Sequence, residues 1–310
     1  MSTTKKVAVI TRTKNRNILL WRAYHSVRKQ TMKDLIWVIV NDGGEKEGVD
    51  AIANDARNNG LDVKVLHHEV SKGMEAASNA GIRSCDSKYI VIHDDDDSWE
   101  SAFLEKTVAF LETEPVFSGV ITHTLRVNEV IENDSPRTTS CYGFNTWLNS
   151  IYLMEMAMVN TFPPISFLFK RSVYDKIGGY DERLPVLGDW DFNIRFLKEA
   201  DIGVIPELLA LYHHRDTITD ANNVYGNTVN AGIANHKKYD AILRNHYMRT
   251  SPQDLGVLTN LAVMTNWQNS KIDQISTQSL AKGANCFLSY LKKKSWFNCF
   301  AKKIKSEGGK

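Results

Sequence analysis

The chain has 310 residues, 43% hydrophobic and 24% charged, with 18 Gly and 7 Pro, a composition that excludes disordered, collagenous and disulfide-scaffold classes. No apolar run reaches the roughly 18–20 residues of a membrane-spanning helix, the first residues carry no signal-peptide pattern, and the four cysteines form no CxxC pair, so a cytoplasmic protein with reduced thiols is expected. The net charge of +2 is uneven: residues 291–310 hold seven Lys and one Glu, which leaves 31 basic against 35 acidic residues in the body, and with no basic stripe there nucleic acid is not an expected partner.

Residues 7–11 form a short, β-branched apolar run that ends at Arg12, the pattern of a buried strand. A loose helical stripe covers 17–30. Residues 35–40 give a second buried strand, closed by the turn signal Asn41-Asp42-Gly43-Gly44. A polar helix over 49–58, stopped by Gly60, leads to a strand at 63–66, a helix at 75–83 and a strand at 89–93. Strands apolar throughout and alternating with helices predict an α/β fold whose parallel sheet is covered on both faces. Ligands collect beyond the carboxyl ends of such strands.

Past Pro115 the rhythm changes. Strands are expected at 120–126 and 127–131, a polar loop at 133–142, a helix over 144–162 and a strand at 167–170. Gly178-Gly179 marks a turn, 192–199 a helix, and two short strands are expected around Gly203 and over 208–213. From residue 222 the pattern is helical only.

The strongest chemical signal is Asp94-Asp95-Asp96-Asp97 at the end of the 89–93 strand. Four adjacent carboxylates repel unless cations or solvent relieve them. In extended backbone Asp94 and Asp96 would share one face, which suits Mg2+ or Mn2+ with positions left for phosphate oxygens; a solvated acidic turn is the plainer alternative. Gly188-Asp189-Trp190-Asp191 precedes a helix. Asp191 fits a helix cap, whereas Trp190 can dry Asp189 and lift it towards general-base range. Asp42 could accept a pyrimidine N3–H or close an Asx-turn. The small residues around Lys72-Gly73, Ala77, Asn79 and Gly81 allow either a close ligand or tight helix packing. His213-His214 could add an imidazole to a metal or be structural.

Taken together these runs resemble family 2 glycosyltransferases. Thr13-Lys14-Asn15-Arg16 after the first strand resembles their T-x-N-R, Asn41-Asp42-Gly43-Gly44 their D-D-G-S, and Lys72 through Gly81 their N-x-G-x-x-x-A-x-N-x-G helix. Asp94 to Asp96 resembles the D-x-D, Gly178-Gly179-Tyr180-Asp181-Glu182 the G-G-F-D-E turn, and Asp189-Trp190-Asp191 stands at the E-D-x-D. The order is kept over about residues 5–220. Three departures stand out: Asn41 for an acid, Gly188 for the Glu of E-D, and Arg12 where Pro is common.

The resemblance implies a glycosyltransferase A fold, a mostly parallel Rossmann-like sheet flanked by helices. It divides the chain into a catalytic domain, 1–220 (nucleotide-sugar half 1–115, acceptor half 116–220), and a helical C-terminal extension, 221–310. It implies an inverting, metal-dependent transfer from a nucleotide sugar to a hydroxyl of a glycan or lipid-linked glycan. Thr13, Arg16, Asp42, Lys72, Asn79, Asp94 and Asp95 would face the donor, for which Asp42 favours a pyrimidine. Asp96, Asp94 and His214 would hold Mn2+ or Mg2+, Asp189 would be the base, and Trp190 and Asp191 would lie on the acceptor side. Two alternatives are a sugar-phosphate nucleotidyltransferase, which lacks its Gly- and Arg-rich first loop here, and an inactive glycan-binding scaffold, which would not need Asp94, Asp96 and Asp189. No GxGxxG follows a strand and no GxxxxGK[ST] occurs, which removes dehydrogenase and P-loop readings. Within residues 287–306, Trp296, Phe297, Phe300 and Ile304 share a helical face flanked by lysines. That is the pattern of a helix on an anionic membrane surface, in keeping with surface-polysaccharide synthesis, or of a basic helix packed on the body.

Overall fold

The computed structural model describes residues 4–133, 135–218, 223–226, 233–250, 261 and 263–265. Its first half follows the sequence pattern closely: β1 (Lys5–Thr13), α1 (Asn17–Arg28), β2 (Leu35–Asp42), α2 (Glu47–Asn58), β3 (Val63–His68), α3 (Met74–Arg83) and β4 (Ser87–Ile92). The strands are apolar on both faces because both are covered. Val7, Val9, Trp37 and Ile39 pack with Leu20, Tyr24 and Val27 of α1 and Ile52 of α2. Ala8, Ile10, Val38 and Val40 pack on the other side with Ala77 and Ile82 of α3. Alternate side chains of one strand therefore feed two separate cores. A Cβ on Gly81 would stand 2.6 Å from Ile10 Cγ2 and 3.0 Å from Val40 Cγ2. The small residues of α3 thus serve close helix-on-sheet packing.

The second half comprises β5 (Ser98–Trp99), α4 (Phe103–Thr113), β6 (Phe117–Glu132), β7 (Ser135–Gly143), α5 (Leu153–Met158), a 3-10 turn (Pro164–Ser166), β8 (Phe167–Lys170), α6 (Arg171–Ile177), α7 (Gly188–Glu199), β9 (Asp201–His214) and α8 (Ile233–Thr250). The expected pairs of short strands are single long ones, β6 and β9, interrupted only by register shifts such as that at Asn128/Glu129 in β6. The expected polar loop at 133–142 is instead β7, which pairs antiparallel with β6 and is exposed along its whole length. Backbone pairing and polar side-chain contacts such as Asn128 Nδ2 to Ser140 Oγ make that strand, so it has no apolar period to read. The expected 144–162 helix shrinks to α5, with Tyr152 and Val159 extended at its two ends.

The sheet order is β3-β2-β1-β4-β8-β6-β9-β5, with β7 on β6. β3, β2, β1 and β4 are mutually parallel, as are β6 and β9, whereas β8 runs antiparallel between β4 and β6. The sheet is therefore mixed, although mostly parallel. A strand buried on both faces reads the same in either direction, which is why Phe167–Lys170 gave no sign of its reversal. α8 agrees with the expected C-terminal helices. The basic aromatic stretch at 287–306 lies outside the described residues. Among the described residues no helix is long and apolar enough to cross a membrane.

Candidate active site

Chain reversal fixes where a ligand can enter. From β1 the chain moves to β2 and β3 on one side, then crosses to β4 on the other, so the strand order switches between β1 and β4. Thr13 and Asp94 flank that crevice at the carboxyl ends. A cleft of about 430 Å³ opens there, lined by residues 12–16, Asp42, Ser71, Gly73, Met74, Ala77, Asp94 and part of 223–226. A larger cleft of about 650 Å³ lies between the Gly178–Gly179 turn, α7 and α8. It contains none of Asp94, Asp96 or Asp189, whereas Asp94 lines the smaller cleft, which is therefore the candidate for the chemistry.

The acidic run is not extended. Asp97 donates its N–H to the Asp94 carbonyl at 3.2 Å, so the backbone turns, and each carboxylate takes a different partner. Arg12 places Nε, at 2.9 Å, and Nη2 on one oxygen of Asp94 and leaves Oδ2 without a hydrogen bond. Arg16 takes both oxygens of Asp95, at 3.1 and 2.5 Å. Asp95 is fully buried and so orients Arg16 rather than touching a donor, a correction to its expected role. Asp96 is held through Oδ2 by Arg215, with Arg16 Nη1 at 3.7 Å, while Oδ1 carries no hydrogen bond. Burial opposes ionisation of Asp96, but Arg215, Arg16 and Arg22 keep it well below the ordinary carboxylate range. Asp97 accepts the His213 backbone N–H at 2.8 Å, and burial beside Asp96 and Asp94 pushes its carboxyl well above the ordinary carboxylate range.

Sequence reasoning missed the group behind this run. Glu129 of β6 is 3% exposed and receives Arg22 at 3.0 and 2.8 Å, Arg215 at 2.6 Å and His213 Nδ1 at 3.1 Å. Burial would raise its pKa, yet His213 and Arg22 bring it down to about 2. Arg215, fully buried, thereby joins Glu129 to Asp96. The only sequence sign was Arg215 following the two histidines. Those histidines divide: His213 is structural, bonded also to Ser98 Oγ at 3.0 Å. His214 is 4% exposed with neither ring nitrogen hydrogen-bonded. Burial, followed by Arg126, lowers its pKa to about 4, so the imidazole is neutral and its lone pair available.

Three expected donor residues make contacts within the protein. Asp42 accepts from His68 Nδ1 (2.7 Å), Ser71 Oγ (2.6 Å), Lys72 N (2.8 Å) and Gly73 N (3.0 Å). Four donors fill a carboxylate's acceptor sites, so no lone pair remains for a base N3–H; Asp42 fixes the 71–73 loop at the lip of the cleft. The turn is closed by Asn41, whose Oδ1 accepts the Gly44 N–H at 3.1 Å. Lys72 contributes its backbone N–H to Asp42 and leaves its side chain exposed. Asn79 spends its amide on Tyr174, Tyr180 and Glu182, stitching α3 to the 178–182 turn on the side of the larger cleft. Thr13 and Arg16 do line the smaller cleft, and Thr13 Oγ1 is buried without a partner.

α7 separates its two acids because residues two apart lie on different helix faces. Asp189 is half-buried and accepts from Asn160 Nδ2 at 2.7 Å, and Asn193 in turn donates to Asn160 at 3.0 Å. Burial raises the Asp189 pKa against the Trp190 N–H and Arg12, while Asp94 adds to the rise. Asp189 is thus an oriented carboxyl shifted in the direction a base requires. Trp190 turns the other way, with Nε1 on the Met156 carbonyl at 2.6 Å and Arg244 4.6 Å above its ring. Asp191 bonds Arg195 at 2.8 Å and Tyr247 at 2.6 Å. Both therefore pack with α5 and α8, Asp191 also lining the larger cleft, and Asp191 makes no helix cap. Asn160 and Glu75 were missed. Glu75 sits in the first turn of α3, an ordinary place for an acid, yet is 4% exposed with Oε2 unpaired.

Mg2+ or Mn2+ was the expected metal. Among the described residues no three His, Cys, Asp or Glu side chains form a ready-made cage. A hard cation that also binds a diphosphate needs only one or two protein carboxylates. Asp94 and Asp96 each keep one oxygen unbonded; His214, with no ring hydrogen bond and Nδ1 3.6 Å from Asp216 Oδ1, is within electrostatic reach of Asp96 but does not close a three-ligand group with them. The two carboxylates fit such a cation.

The model of the family described as glycosyl transferase family 2 matches residues 8–178. Among curated proteins the chain is 25% identical over 211 residues to YwdF of Bacillus subtilis, an uncharacterized glycosyltransferase, covering 68% of this chain and 75% of that protein. It is 24% identical over 264 residues to a PGL/p-HBAD biosynthesis glycosyltransferase of Mycobacterium bovis, covering 84% and 90%. Among solved structures, S. aureus TarS 1–349 in complex with UDP-GlcNAc superposes with a TM-score of 0.56 at 17% identity over 68% of this chain, which spans 59% of that one. PcManGT, a mannosyltransferase from Pyrobaculum calidifontis in complex with GDP-Man and Mn2+, gives 0.55 at 14% identity, covering 96% and 84%. The chain thus has the glycosyltransferase A fold.

Proposed function

Because this chain belongs to glycosyl transferase family 2 and is a glycosyltransferase, we propose that it inverts the anomeric carbon of a nucleotide sugar in one displacement. The observation that carries the reading is the oriented Asp189, set beside but not within the Asp94–Asp96 cluster. The acceptor oxygen would attack the anomeric carbon as the bond to the diphosphate oxygen breaks, and Asp189 would take the acceptor proton. Such proton transfer is worth on the order of 10²- to 10⁴-fold. Asn160 and Asn193 hold Asp189 in place for that step. Asp94 Oδ2, Asp96 Oδ1 and His214 would hold Mn2+ or Mg2+, and a divalent cation there supplies Lewis-acid charge and alignment for the departing diphosphate. Arg16 and Thr13 would line the donor's path. With Asp42 filled, the base is left open between uracil, thymine and guanine. The acceptor would be a hydroxyl of a glycan or lipid-linked glycan in surface-polysaccharide synthesis, a reading supported by the basic aromatic stretch at 287–306.

Calorimetric titration of UDP, dTDP and GDP, with and without Mn2+, tests it. One nucleotide should bind in a metal-dependent way, and Asp189→Asn should retain that binding while losing transfer by ~10²-fold or more. Equal loss of binding and transfer would make Asp189 structural, and binding of none of the three would overturn the donor site.

A further inference from the structure

Glu75 and Gly188 occupy one space. A Cβ on Gly188 would overlap the Glu75 carboxylate, and it would stand 2.5 Å from the Cδ. Any side chain at Gly188 would therefore have to displace the Glu75 carboxyl, which reaches over from α3 into the volume where α7 opens. The Glu that the family resemblance leads one to expect at position 188 is absent from α7. A carboxylate from another element stands in its place.

This carboxyl is costly to keep. It is 4% exposed, its Oε2 has no hydrogen bond, and its charged surroundings are Arg12, Asp189 and Asp94. Burial lifts it to about 7, with Arg12 opposing and Asp189 and Asp94 adding to the rise. A buried acceptor left unpaired costs about 1–3 kcal/mol, which an apolar residue of similar size would avoid. Nothing orients Glu75 as Asn160 orients Asp189, so it is not a second base. Its charge couples both to the carboxylate assigned to the diphosphate side, Asp94, and to the carboxylate assigned to the acceptor side, Asp189. On those assignments the transferred sugar would stand near both.

We propose that Glu75 is a specificity-determining residue that hydrogen-bonds a hydroxyl of the transferred sugar. The inference rests on the roles given above to Asp94 and Asp189. A sugar hydroxyl both donates and accepts, so it satisfies Oε2 whichever protonation state the carboxyl holds. Filling that lone pair on binding turns the penalty of the empty site into discrimination between sugars, since a donor lacking the hydroxyl would leave the acceptor unpaired.

The test separates nucleotide from sugar. Wild type, Glu75→Gln, Glu75→Ala and Glu75→Ala/Gly188→Glu are titrated with UDP, UDP-GlcNAc, GDP and GDP-mannose in the presence of Mn2+. For the pair that wild type binds, Glu75→Ala should leave the bare nucleotide within about twofold and weaken the nucleotide sugar by about 10- to 100-fold. Glu75→Gln, which keeps a polar end of the same shape, should lose less than Glu75→Ala. The double variant, which returns a carboxylate from α7, should recover most of the sugar affinity. Equal weakening of nucleotide and nucleotide sugar, or no change in either, would overturn the assignment. If wild type binds neither these nucleotides nor dTDP, the donor-site reading itself falls; an unaltered preference for the sugar-bearing form in Glu75→Ala sinks the Glu75 role alone. The steric premise has its own readout. Gly188→Ala should lower the denaturation midpoint in the wild-type background and much less in Glu75→Ala, a non-additivity that two independent sites would not show.

Discussion

Two sets of buried ionisable groups meet at Asp94–Asp97, and they are finished to different degrees. On one side Glu129, Arg22, Arg215 and His213 bind one another and Asp96 through a closed set of charged hydrogen bonds. On the other side Glu75 Oε2 and both nitrogens of His214 are buried without a hydrogen bond, His214 Nδ1 standing 3.6 Å from Asp216 Oδ1. Native proteins seldom leave such atoms without a partner. The contrast separates frame from site: the satisfied set fixes where Asp96 stands, and the unsatisfied groups are those a bound donor would complete.

Breaking the frame should give the largest effect. Arg215→Met removes a fully buried guanidinium, leaving Asp96 with only the longer contact to Arg16 and Glu129 with Arg22 and His213. Removing one partner of a buried ion pair costs about 3–5 kcal/mol. Urea denaturation should show a loss of that order, and a loss under about 1 kcal/mol would mean that the network is not a frame.

The next effect is one of sign. Glu129 falls from 4.5 to about 2, so its contribution is present above the unfolded value and is lost as pH drops from about 4.5 towards 2. Glu75 rises from 4.5 to about 7. Its folded form binds the proton more tightly than the unfolded chain, so stability falls as pH climbs from about 4.5 through 7. Glu129→Gln should therefore flatten the acid side of a stability–pH curve, and Glu75→Gln the side from pH 5 to 8, by no more than a few kcal/mol. The same sign in both variants would erase the distinction between the two sets.

The sequence carried the frame of the fold further than the frame of the site. β1 to β4 and α1 to α3 were legible because each strand is a closed apolar run and each break is marked, as at Asn41 to Gly44. β7 was not, since an exposed strand held by backbone bonds leaves no period. Asp94, Asp96, Asp189 and His214 were legible as chemistry at predicted element ends. Glu129, Asn160 and Glu75 were not, because each acts through a partner far along the chain: Glu129 on Arg22, Asn160 on Asp189, Glu75 on Gly188. The contacts of Asp191 and Trp190 were illegible for the same reason. Spacing placed them beside Asp189, but the helix turns them towards α5 and α8.

That last pair offers the smallest and cleanest test. Asp191 and Asp189 are two residues apart, one closed by Arg195 and Tyr247, the other held by a single neutral amide. Tyr247→Phe removes one hydrogen bond to Asp191 while Arg195 remains on its other oxygen, so the charge stays paired. The cost should be about 1 kcal/mol in thermal or urea unfolding, with nucleotide binding unchanged, since Tyr247 lines the larger cleft and not the one at the strand ends. A change in nucleotide affinity from so distant a hydroxyl would mean that the two faces of α7 are linked, and that Asp191 sets the position of Asp189 instead of merely anchoring α8.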